Sequence, residues 1–113
     1  YDFTTYPGLA KAAPAYALTE AELEAREEEL NPIRRAADLA RAKIPVFIIH
    51  GTDDTVVPLA ANSAKLEEIY KAEGAGDLIE VVKIKGQGHN FWTGFFQCRE
   101  LVDFVITRAP GRK

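Results

Sequence analysis

Pro45-Val46-Phe47-Ile48-Ile49 is an unbroken apolar run closed by His50-Gly51. A run this short, rich in β-branched side chains and bounded by Pro and Gly, reads as a strand covered on both faces. Such a strand needs helices above and below it and other strands alongside. A second β-branched stretch, Leu78 to Ile84, supplies one neighbour. Between the two lies a helical pattern from Leu59 to Glu73, with Leu59, Leu66, Ile69 and Tyr70 near one side and Gly74 and Gly76 at its end. Buried strands alternating with helices imply parallel pairing through a helical crossover, so the expected class is α/β.

The flanks are weaker in pattern. Tyr1 to Ala17, with Pro7, Gly8 and Pro14, lacks a helix or strand period and reads as loop. Thr19 and Glu22 form a capping-box pair that starts a short acidic helix, Glu20 to Leu30, whose carboxylates read as a solvated face. Asn31-Pro32 stops that helix and opens another over Ile33 to Ala42, with Asn31 as a cap. Beyond the second strand, the loop Lys85 to Trp92 leads to a final helix, Gly94 to Arg108, ended by Pro110-Gly111. Its Phe95, Cys98, Leu101, Val102, Val105 and Ile106 predict a broad buried face. Two strands make a poor sheet, so this chain wants more strands than it contains, and its open strand edges favour self-association.

Several function classes fall away. The 113 residues amount to about one small domain, and a net charge of −3 argues against an electrostatic footprint for nucleic acid. The longest apolar stretch is far too short to cross a bilayer. Cys98 is the one cysteine, which excludes an internal disulfide and a Cys-built metal site, and it reads as a small buried hydrophobe. The first residue is Tyr1 rather than Met, so sequence ahead of it is expected, and no compartment can be read.

In open α/β sheets, functional residues gather in the loops that follow the carboxyl ends of the strands. The first such loop is His50-Gly51-Thr52-Asp53-Asp54-Thr55-Val56-Val57-Pro58, and the second is Lys85-Gly86-Gln87-Gly88-His89-Asn90. One delivers carboxylates and the other an imidazole, at the same edge of neighbouring strands. A base and the carboxylate that orients it need that placement.

The strand, His-Gly-x-x-Asp-x-x-Val-Pro, helix, strand and Gly-x-Gly-His, taken together, resemble the C-terminal portion of α/β-hydrolases. The branch they are closest to is that of esterases, dienelactone hydrolases and prolyl-oligopeptidase-like enzymes. The resemblance covers about 31–108. It implies that 31–113 is the C-terminal part of a hydrolase domain whose earlier strands lie outside this chain, and that 1–30 is a cap or lid segment. Carried over position by position, Asp54 falls on the catalytic acid, His89 on the catalytic base and His50 on a strand-end structural histidine. The implied activity is serine hydrolysis of a small carboxylic ester, with a prolyl-oligopeptidase-type peptidase as the alternative. No metal or organic cofactor is implied, and Trp92 is the candidate wall of an acyl pocket.

One part of the pattern is missing. Enzymes of this kind carry Gly-x-Ser-x-Gly upstream of the acid. Ser63, the single serine, follows Asp54 without flanking glycines, and Cys98 follows the histidine. The nucleophile and oxyanion donors are therefore expected from polypeptide outside this chain. Competing readings stay open: Asp54 as an Asx turn or helix cap, Asp53-Asp54 as a Mg²⁺ pair, and the whole chain as a non-catalytic interaction module.

Overall fold

A strand that is apolar on both sides has to be sandwiched, and the computed structural model, which describes residues 1–5 and 8–110, shows how far this is achieved. The elements run in the order α1 (Leu9–Ala12), α2 (Glu20–Ala25), α3 (Glu27–Leu30), α4 (Ala36–Arg41), β1 (Val46–Gly51), α5 (Ser63–Ala72), β2 (Ile79–Ile84) and α6 (Arg99–Arg108). Short 3₁₀ turns at Ala13–Tyr16, Pro32–Arg35, Gly76–Leu78 and Thr93–Phe95 link them. Among the described residues the sheet has two strands, β1 and β2, paired in parallel with Val46 opposite Ile79 and Gly51 opposite Ile84. The chain is thus a mixed helical protein around a two-stranded parallel sheet. Pro7 and Gly111, assigned from sequence to the first loop and to the end of the last helix, lie outside the described residues.

Side chains alternate across the sheet, so Val46, Ile48 and His50 share a face with Ile79, Val81 and Lys83. Toward α4 and α5 this face packs well. Ala40, Tyr70 and Ala75 are fully buried there, with Val46, Leu66, Leu78 and Ile79 against them. The Tyr70 hydroxyl donates to Ile44 O at 2.8 Å, fixing α5 to the approach of β1. At the end of α5, Gly74 takes φ +71° and the Ala75 N–H bonds Tyr70 O at 2.8 Å. That is a left-handed helix stop, in which glycine carries no Cβ penalty.

The opposite face, Phe47, Ile49, Gly51, Glu80, Val82 and Ile84, is covered thinly. Phe104 of α6 meets Phe47 at 5.4 Å between ring centres. The expected broad buried face of the last helix is not formed: Val102 and Val105 are 52% and 57% exposed, and no residue of α6 is buried. Two strands with Glu80 among them offer too little apolar area to receive a whole helical stripe. The helix also begins at Arg99 rather than Gly94. The Trp92 ring lies where a Cβ of Gly94 would be, the chain turns tightly at Thr93–Phe95, and Cys98 is extended.

The N-terminal residues form a second, smaller core of Phe3, Ala13 and Leu23, with Leu9, Leu18 and Leu30 packed on it. The stretch read as loop contains α1 and a 3₁₀ turn with Pro14 in its first turn, where a missing N–H costs nothing. The Thr19–Glu22 capping box is formed, with both reciprocal bonds present. The expected helix 20–30 is broken at Arg26. Three consecutive carboxylates, Glu27 to Glu29, favour the N-terminal end of a new helix over the C-terminal end of an old one.

Candidate functional site

The two loops after β1 and β2 are fastened to one another before any side chain enters. Thr52 N–H donates to Ile84 O at 3.0 Å and Asp53 N–H to Gln87 O at 2.9 Å. Gly86 N–H adds a bond to Thr52 Oγ1 at 3.1 Å. Gly51 makes this approach possible, because a Cβ there would overlap Gln87 O and its carbonyl carbon.

Asp54 sits in the first loop with its side chain 7% exposed. Its two oxygens have separate tasks. Oδ1 accepts the Val56 and Val57 N–H groups at 2.9 and 2.8 Å, closing a turn of the Asx type. Oδ2 lies 3.0 Å from Nδ1 of His89 and 3.4 Å from Nε2 of His50. The turn reading and the partner-of-histidine reading of Asp54 are therefore both satisfied, by different atoms. Burial opposes ionisation of Asp54, but the Val57 amide, His89 and the Val56 amide outweigh it and hold the carboxyl below its usual range.

His89 is reached from the second loop and its side chain is 55% exposed. Because an ionised carboxylate can only accept, Nδ1 carries the proton in this pair, and neutral His89 keeps its lone pair on Nε2. Nε2 has no protein partner among the described residues. Both side chains border an open cavity of about 320 Å³, whose apolar side is formed by Val57, Phe95 and Phe96.

Trp92, the residue expected to wall an acyl pocket, lines a neighbouring depression with Val82, Ile84 and Cys98, while Phe95 and Phe96 border the cavity that holds Asp54 and His89. Its indole makes an edge contact with Phe95 at 5.4 Å. Cys98 is half-buried in that second depression, its thiol 3.4 Å from Glu100 Oε2. The Asp53 carboxylate takes a hydroxyl bond from Thr52 at 3.0 Å. Among the described residues no group of three or more His, Cys, Asp or Glu is placed to hold a metal ion together.

Ser63, the first residue of α5, is buried against Nδ1 of His50. His50 Nε2 donates to Val57 O at 2.8 Å, since a carbonyl can only accept, and the Ser63 hydroxyl then donates to Nδ1. Both ring nitrogens are occupied, Nε2 with the Asp54 loop at Val57 and Nδ1 with the start of α5 at Ser63. Two buried asparagines escape the sequence reading: Asn31 is marked there only as a cap, and Asn62 falls unmarked inside the helix expected from Leu59. Asn31 makes no cap bond to the turn at Pro32 and instead takes the Phe3 N–H while donating to Asp2 and Glu27. Asn62 bridges Asp2 and Pro58. No local pattern marks a side chain whose partners lie 28 and 60 residues away.

No helix among the described residues is long and apolar enough to cross a membrane. No protein-family model matches the chain, and no curated protein or solved structure is found to be similar to it.

Proposed function

We propose that this chain supplies the base, His89, and its orienting acid, Asp54, of a Ser–His–Asp hydrolase acting on a small carboxylic ester. The observation that supports the reading is the 3.0 Å contact between His89 Nδ1 and Asp54 Oδ2 at the carboxyl edge of two parallel strands. The serine comes from polypeptide outside these 113 residues, because Ser63 is committed to His50. In this scheme Nε2 of His89 takes the serine proton as the oxygen attacks the ester carbonyl, then returns a proton to the departing alcohol. Water hydrolyses the acyl-serine with the same base. Asp54 stays ionised throughout, fixing the tautomer and stabilising the imidazolium. Phe95 and Phe96 give the acyl group an apolar wall.

The test uses the longest natural chain containing these residues. Ester turnover and labelling by a serine-directed phosphonate are measured in the parent and in His89→Ala. Loss of labelling, and a fall in kcat of about four orders of magnitude, is expected. Undiminished turnover in the variant removes His89 as base.

The uncovered stripe of α6 favours a second reading, a non-catalytic module that buries this face and its strand edges against another chain. A natural chain that takes no phosphonate label but carries a bound partner over Val102 and Val105 selects it.

A further inference from the structure

Asn62 occupies the residue before α5, where an asparagine side chain ordinarily accepts an amide of the first helical turn. It makes no such bond. Its Oδ1 instead accepts the backbone N–H of Asp2 at 2.7 Å, and its Nδ2 donates to Pro58 O at 2.8 Å. The side chain is buried and every polar atom of it is used. Pro58 follows Val57, whose N–H is one of the two bonds on Asp54 Oδ1 and whose carbonyl receives His50. At the other end of the relay, the fully buried Asn31 fixes the same N-terminal segment. It accepts Phe3 N–H at 3.2 Å and donates to Asp2 Oδ1 at 2.8 Å.

We propose that Asn62 is a positioning residue through which the docked N-terminal segment sets the loop that presents the Asp54 carboxylate to His89. The inference rests on the reading of Asp54 as the orienting acid, and it adds a control on that acid from a separate part of the fold. His50 and Asn62 bond the carbonyls of adjacent residues, Val57 and Pro58. With His50 alone, the loop keeps one anchor and can pivot about it. With both, the Val56 and Val57 amides are held where Asp54 Oδ1 needs them. The N-terminal segment is thus part of the support of the site.

The experiment reads the loop directly, without substrate. Amide hydrogen exchange at Val56 and Val57 and the titration midpoint of the Asp54 carboxyl carbon are followed by NMR in the parent, Asn62→Ala, Asp2→Pro and Tyr70→Phe. Asn62→Ala removes the relay, and Asp2→Pro deletes the Asp2 N–H that Asn62 accepts together with the carboxylate that Asn31 and Thr4 bond, so it undocks the N-terminal segment from both asparagines. Tyr70→Phe removes one side-chain bond to backbone elsewhere and serves as the control. In the first two variants, Val57 exchange is expected to quicken roughly three- to tenfold, the span of one ordinary hydrogen bond. The Asp54 midpoint is expected to rise toward the usual carboxyl value, and the β1–β2 amides to keep their protection. Tyr70→Phe should leave both readings alone.

Unchanged Val57 exchange and an unchanged Asp54 midpoint in Asn62→Ala overturn the proposal. If Asn62→Ala does not fold, the same two readings in Asp2→Pro decide it in the same way. Absence of ester turnover in the natural chain would sink the hydrolase reading while leaving these measurements intact. A silent Asn62→Ala in a protein that does turn over ester would sink the relay alone.

Discussion

Asp54 shows how one carboxylate divides its two oxygens between a turn and a histidine. Oδ1 closes the turn on Val56 and Val57, and Oδ2 is left for His89. Asp54→Asn keeps an oxygen for the turn. Its amide cannot then accept at the second position without losing the first, so the histidine tautomer is no longer enforced. The expected outcome in the natural chain is a fall in kcat of about four orders of magnitude with the fold retained, read by ester kinetics and circular dichroism. The same residue sets an acid limit on stability. Its folded carboxyl titrates below the 3.8 of an unfolded one, so its stabilising contribution is complete above that value. It is lost as pH falls from there toward the lower folded midpoint. Chemical unfolding of the parent and of Asp54→Asn at stepped pH should give curves that converge across that acid window. Curves that stay parallel would show that Asp54 does not carry this linkage.

Elements succeed here where local chemistry and burial agree. The apolar run at Val46 to Ile49 and the β-branched run at Ile79 to Ile84 became strands, and the Thr19–Glu22 box started a helix. The juxtaposition of Asp54 and His89 was legible because a parallel strand pair delivers both following loops to one rim. The boundaries that moved did so for reasons no short window holds. The helix expected from Leu59 starts at Ser63, because Asn62 is taken up by Asp2 and Pro58. The last helix starts late because Trp92 folds over Gly94. Gly51 belongs to this scale as well. Gly51→Ala forces β1 and the Gln87 carbonyl apart, and overpacking of this kind costs about 1–3 kcal/mol. Denaturant unfolding should register that loss. The NMR signature of the His89–Asp54 contact should weaken along with it, because the loops separate at that point.

For the whole molecule, the radius of gyration of 15.6 Å exceeds the roughly 13 Å expected of a compact domain near 100 residues. Two small cores, one under the N-terminal helices and one between α4, α5 and the sheet, replace a single large one. The apolar stripe of α6 and the outer edges of both strands face outward among the described residues. Sedimentation velocity across a concentration series should therefore show reversible self-association of the isolated chain. Val102→Lys with Val105→Lys should suppress it. Both side chains are exposed, so the unfolding midpoint should move by no more than about 0.5 kcal/mol in equivalent free energy. A chain that stays monomeric at every concentration rules this out. The sequence pattern marked α6 as apolar on one side, but nothing local could say that the surface needed to cover it would be so small.

The fasteners between the two loops are mostly peptide groups: Thr52 N–H on Ile84 O and Asp53 N–H on Gln87 O. Main-chain stitching is blind to which side chains ride on it. Mutational drift at outward positions such as Thr55 and Lys85 should consequently leave the mouth of the cleft in shape. At Gly51, by contrast, any added carbon pushes the stitches open. Tolerance and intolerance to change thus lie a few ångströms apart on the same rim.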